Sequence, residues 1–99
     1  MGVGARIVII TLEGIRLEHS FKFGFRAFNN KAEYKALLAR LNTVLGMGAW
    51  EVEAYLDSRL VVNQVQGNFK AHDSRMKEYL RVVKQVMDKF STAKVVQIA

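Results

Sequence analysis

An α/β fold, one mixed sheet with helices packed across it, is predicted for this chain of 99 residues by three observations. A β-branched apolar run stands near the start, a strictly alternating segment follows it across a single turn, and stretches of helical spacing then take turns with short period-two stretches. The first run, Arg6 to Leu12 (RIVIITL), is apolar at nearly every position, which suits an inner strand covered on both faces. Glu13-Gly14 turns it, and Gly14 can take the positive φ of a tight hairpin. From Ile15 to Phe25 the pattern alternates, with Ile15, Leu17, His19, Phe21, Phe23 and Phe25 on one side and Arg16, Glu18, Ser20 and Lys22 on the other. That is a half-exposed strand.

Asn29-Asn30 offers a helix N-cap, Glu33 stands three residues after Asn30 as in a capping box, and Tyr34, Leu37, Leu38, Leu41, Val44 and Leu45 carry the helical spacing to Gly46 and Gly48. Trp50, Val52, Ala54 and Leu56 recur at every second position. A strand arriving after a hairpin and a helix implies a parallel crossover. Asp57 then lies at a strand's carboxyl end, and Ser58 caps a short helix, Arg59 to Gln66, that Gly67 ends. Asp73 or Ser74 caps a longer helix striped by Met76, Tyr79, Leu80, Val83, Val86, Met87 and Phe90, and Lys94 to Ile98 forms a last strand. There is no internal repeat, low-complexity tract or linker, so residues 1–99 are expected to be a single domain. The chain starts and stops almost inside strands, as a piece of something longer would.

Composition narrows the function. Hydrophobic residues make up 51% of the chain, too many for disorder. Absent cysteine removes disulfides, thiolate zinc sites and cysteine nucleophiles, and His19 and His72 do not have metal-ligand spacing. No stretch approaches the roughly 20 apolar residues of a membrane helix, and neither a myristoylation pattern nor a signal peptide opens the chain. A soluble protein of intracellular type, with no membrane partner, is expected; its compartment is open. The 15 Lys and Arg against 9 Asp and Glu, a net charge of +6, favour polyanionic partners.

One constellation carries chemistry: Glu33 in the first turn of the first helix and Asp57 just past the third strand. Sites in open α/β sheets form outside the carboxyl ends of parallel strands, and paired carboxylates there suit Mg²⁺ and phosphoryl transfer. Helix capping is an equally direct use of both acids. His19 reads as a hydrogen-bonded core or edge residue, His72 as loop surface, and Trp50 beside Tyr55 as packing. Lys31, Lys35 and Arg40 read as a solvated helix face, with phosphate steering as the alternative.

The strings NNKAEYKALL (29–38), DSRLVVNQVQG (57–67) and RMKEYLRVV (75–83) resemble type 1 ribonuclease H domains, in particular the gypsy-class retrotransposon polyprotein version abundant in plant genomes. The resemblance runs over almost the whole chain in unbroken order. It implies a ribonuclease H-like mixed sheet with a hairpin, crossover helices and a final strand, and an endonuclease that hydrolyses the RNA strand of an RNA–DNA hybrid with two Mg²⁺ ions held by four acids. Carried over residue by residue, it makes Glu33 the second family acid and Asp57 the third, both catalytic and metal-binding. Asn29 and Asn30 match positions near the hybrid's minor groove, where 2′-hydroxyls can be sensed, and Ser58 matches a neighbouring nucleic-acid contact. Phe28 stands where the family commonly has Thr, and Leu56 where it has a small residue.

The family's opening central strand with its first acid, and the closing segment and helix with its fourth, have no counterpart in the 99 residues. The resemblance therefore implies a domain truncated at both ends, with weak or absent nuclease activity. It also implies two unpaired edges, between Arg6–Leu12 and Trp50–Leu56, through which copies could self-associate. A noncatalytic nucleic-acid-binding module and an assembly fragment of a retroelement polyprotein are the alternatives.

Overall fold

β-Branched side chains at Ile7, Val8 and Ile9 suit β1 (Val3–Thr11), an inner strand of a four-stranded sheet, and all three are buried, although helices cover only the face of Ile7 and Ile9 and not both faces as the apolar run predicts. The computed structural model describes residues 3–23 and 29–98, and the side chains of all of these except residues 3–5, 21–23 and 29. Gly14, at φ 93°, turns the chain into β2 (Arg16–Phe23), which pairs antiparallel with β1 from Val3↔Phe23 to Ile10↔Arg16. As the alternation predicts, Leu17 and His19 are half-buried while Arg16, Glu18 and Ser20 are exposed. The side chains of Phe21, Phe23 and Phe25 lie outside those described.

The remaining elements are α1 (Asn29–Gly46), β3 (Glu51–Leu56), α2 (Arg59–Gln66), α3 (Ser74–Met87) and β4 (Thr92–Gln97), and the sheet order is β2-β1-β3-β4. Since β2 and β3 are each antiparallel to β1, they run the same way, so α1 is the parallel crossover that the sequence predicts, with β1 between its two strands. A second crossover through α2 and α3 brings β4 in parallel beside β3, from Glu51↔Thr92 to Leu56↔Gln97. This is the α/β class expected, with a mixed sheet, a hairpin, crossover helices and a final strand.

The expected open edges between the Arg6–Leu12 and Trp50–Leu56 strands are absent, which corrects the prediction. β1 pairs directly with β3, antiparallel, from Ile7↔Leu56 to Thr11↔Val52. Bare amides and carbonyls in the middle of a sheet are costly, and two strands rich in buried aliphatic residues satisfy each other's ladders without any strand between them. Self-association through those inner edges is thereby removed, and among the described residues the outer strands of the sheet are β2 and β4.

The core forms between one sheet face and the helices. Ile7, Ile9, Val52, Ala54 and Leu56 pack beneath Tyr34, Leu37, Leu41 and Val44 of α1, Val61 and Val65 of α2, and Val83 and Val86 of α3. Each fully buried aliphatic side chain contributes roughly 1.5–3 kcal/mol relative to exposure. A polar clasp joins the three helices at their centre. The Tyr34 hydroxyl donates to Gln64 Oε1 over 2.6 Å, Gln64 Nε2 donates to the Lys70 carbonyl, and the Tyr34 and Tyr79 rings stack with centroids 6.0 Å apart. Burial pushes the Tyr34 phenol up to about 12.

Trp50 is a second correction. It lies one residue before β3 and is 72% exposed, so it does not pack in the core; its carbonyl instead accepts the Ser91 amide and hydroxyl, each at 2.8 Å. With a strand on each side of β3, the backbone leading into it is held by hydrogen bonds, and the indole is not needed as an anchor.

Candidate active site

The carboxyl end of β3 and the amino end of α2 meet at Asp57 and Ser58, and the first turn of α1 lies against them. Ser58 is the N-cap of α2: its extended backbone (φ −71°, ψ 111°) turns its hydroxyl back to accept the Val61 amide at 3.1 Å. The same hydroxyl donates to Asn30 Oδ1 over 2.7 Å, and the Ser58 amide donates to Glu33 Oε1 over 3.1 Å. Three of the five residues singled out from sequence are thus hydrogen-bonded to one another across two elements.

Asp57 completes the cluster. Its Oδ2 accepts the backbone amide of Arg6 at 2.5 Å, which extends the β1–β3 ladder by one side-chain rung beyond Ile7↔Leu56. Asp57 is exposed, whereas Glu33 is only 1% exposed. Burial raises the Glu33 carboxyl to about 7; the Ser58 amide pulls it down, and the negative charge of Asp57 pushes it up. That last effect places the two acids within electrostatic reach. The side chain of Asn29, the fifth residue, lies outside those described.

Glu33 does cap a helix end, though not the expected one. Asn30 lies inside α1, and the Glu33 carboxylate reaches the amide of the α2 N-cap. Asp57 precedes that cap and leaves the capping to Ser58. Each acid accepts one backbone amide through one of its two carboxylate oxygens. Among the described residues there is no group of three or more His, Asp or Glu that could hold a metal. The part played by the Arg6 amide has no signature in sequence, because any residue but proline supplies the same donor.

The basic residues divide. Lys31 of α1 pairs with Asp73 at 3.6 Å, and Arg40 lies 2.7 Å from His19 Nδ1, so neither extends from the helix as a bare cation. A groove of about 420 Å³ between the carboxyl end of α2 and α3 collects Lys70, Lys77, Arg81 and Lys84 beside Phe69. Arg81 is paired with Glu78, while Lys70, Lys77 and Lys84 are exposed.

Comparison with known proteins follows this geometry. The model of the family described as "Reverse transcriptase-like" matches residues 2–99. The chain is 42% identical over 57 residues to the bifunctional protein Rv2228c of Mycobacterium tuberculosis and, equally, to the uncharacterized protein Mb2253c of Mycobacterium bovis; the match covers 57% of this chain and 16% of each relative. Among solved structures, the N-terminal RNase H domain of Rv2228c from M. tuberculosis, solved as a fusion with maltose binding protein, superposes with a TM-score of 0.75 at 30% identity, covering 99% of this chain and 74% of that one. RNase H1 from the halophilic archaeon Halobacterium salinarum NRC-1 superposes with a TM-score of 0.75 at 26% identity, covering 98% and 74%.

Proposed function

Because this chain belongs to the reverse transcriptase-like family and is a ribonuclease H-like domain, we propose that it binds RNA–DNA hybrid at the carboxyl end of β3, with Glu33 and Asp57 facing the scissile phosphate. The observation that carries this reading is the convergence of Glu33, Asp57, Asn30 and Ser58, drawn from separate stretches of sequence, on one sheet margin. Asn29 and Asn30 take the minor-groove side, where a 2′-hydroxyl marks the RNA strand, and Ser58 fixes Asn30 by donating its hydroxyl to Asn30 Oδ1. The sequence strings of this site ally it with the retroelement version of the domain.

Glu33 and Asp57 fit Mg²⁺. That ion keeps several waters and takes one or two protein carboxylates, which these two acids would supply, together with substrate phosphate oxygens. When bound, it supplies charge neutralisation at the phosphate and an activated water. The chain's own contribution is positional: the Arg6 amide orients Asp57, and the Ser58 amide orients Glu33. Two carboxylates where the resemblance implies four make a shallow cation site, so this chain on its own is a weak or inactive nuclease and a better binder than catalyst.

Charge supports a nucleic-acid partner. The net charge is +6, and the exposed lysines of the α2–α3 groove give a second anchor for a phosphate backbone. The test is a labelled RNA–DNA hybrid and a duplex DNA of the same sequence, titrated with the chain in Mg²⁺ and followed for both binding and cleavage. Tighter binding to the hybrid, with slow or no cleavage and any cleavage lost in Asp57→Asn, is the expected result. Equal binding to both duplexes would overturn hybrid recognition, and rapid turnover would overturn the weak-nuclease reading.

A further inference from the structure

Among the described residues, β4 is an edge strand, hydrogen-bonded to β3 alone. The amides of Thr92 and Ile98 point inward to the carbonyls of Trp50 and Leu56, so by the two-residue alternation of a strand the amides and carbonyls of Ala93, Val95 and Gln97 point outward. An outward row of this kind is a template for another strand. One of these groups is already occupied. Gln66, the last residue of α2, donates its Nε2 to the Val95 carbonyl over 2.7 Å, which is the bond that an incoming strand would make there. Beside the row runs a groove of about 390 Å³, lined by Val65, Gln66, Met87, Ala93 and Val95.

We propose that β4 is a latent pairing edge for a second copy of this chain, held shut by the Gln66 side chain. The edge is self-complementary about Val95. In an antiparallel pair centred there, the two Val95 residues exchange both of their backbone bonds, Ala93 lies opposite Gln97 of the second copy, and Lys94 lies opposite its Val96. No like charges face each other, so the edge lysine that would block other registers is compatible with this one. Val96 is 37% exposed in the single chain and would be covered across the pair. Gln66 uses the central acceptor of that register, the position at which one side-chain amide obstructs most. Because each copy carries a charge of +6, salt strengthens the pairing instead of weakening it.

Sedimentation velocity of the whole chain tests this, comparing the parent with Gln66→Ala and with the double variant Gln66→Ala/Gln97→Pro, which lacks one outward amide and leaves the inward row untouched. Gln66→Ala is expected to dimerise about tenfold more tightly than the parent, more so at higher salt, and the proline to return it to the parent's level. Amide exchange provides the second reading: in Gln66→Ala, exchange at Ala93, Val95 and Gln97 slows as protein concentration rises. A Gln66→Ala chain that sediments as the parent does, an association indifferent to Gln97→Pro, or exchange at β4 independent of concentration would each overturn the proposal.

Discussion

Glu33 and Ser58, 25 positions apart, are joined by a hydrogen bond of 3.1 Å from the Ser58 amide to the Glu33 carboxylate. This bond holds the amino-terminal part of α1, at Glu33 just past its first turn, against the start of α2 and fixes one acid beside Asp57. It also leaves a buried carboxyl group at the edge of ionisation.

A pH dependence follows. The folded-state value of Glu33 is about 7, above the 4.5 of a free glutamate, so the folded chain holds this proton more tightly than the unfolded one. Its stabilising contribution is complete below pH 4.5 and is lost as the pH rises to about 7, amounting to roughly 3 kcal/mol. Urea unfolding of Glu33→Gln should gain on the parent steadily across that window. A difference between the two that is constant with pH would show that Glu33 does not titrate there.

Divalent cations should be governed by the same proton. Mg²⁺ needs the ionised carboxylate, so its affinity, followed by calorimetry, is expected to rise as the pH climbs through about 7. Asp57→Asn should weaken Mg²⁺ binding at least tenfold, because it removes one of two carboxylates.

Ser58 makes four hydrogen bonds, through its amide, its carbonyl and twice through its hydroxyl, and Ser58→Ala removes the two that use the hydroxyl. Loss of the N-cap bond to Val61 and of the bond to Asn30 should cost about 1–2 kcal/mol in chemical denaturation. Ser58→Thr, which keeps a capping oxygen, should recover most of it.

Tyr34→Phe leaves the Gln64 carbonyl oxygen buried without its donor. The expected loss is about 1–3 kcal/mol. Changing Gln64 to Leu in the same chain should recover part of it, since it removes the buried oxygen left without a donor at the cost only of the longer 3.4 Å bond to the Lys70 carbonyl; no recovery would mean that the cost lies in packing.

Charge reversal in the α2–α3 groove, Lys77→Glu with Lys84→Glu, should weaken hybrid binding and lower the slope of log affinity against log salt by about 2 if each lysine neutralises one phosphate. An unchanged slope would remove this groove from the nucleic-acid surface.

The local elements were legible because their signals are local. α2 spans Arg59–Gln66 as its cap residues predict, for Ser58 and Gly67 mark its ends by chemistry: an oxygen that accepts the Val61 amide, and a backbone at φ 87° that only glycine takes cheaply. β1 and α1 were found within a few residues from a β-branched run and a helical stripe. The convergence of Glu33 and Asp57 was also expected, though from the crossover and the resemblance and not from spacing.

Pairing and partner choice were different. The direct β1–β3 ladder, the Arg6 amide on Asp57, the Gln66 side chain on Val95 and the exposure of Trp50 all depend on which backbone groups come to lie side by side, and backbone groups are the same in every residue. The amino-acid order alone determined the secondary structure, the buried faces and the identity of the two acids, since these rest on side-chain type and period. Which strand closed against β1, which amide each carboxylate accepted and how far Glu33 was drawn from water were decided only when the chain packed, because each depends on distances between segments remote along the polymer.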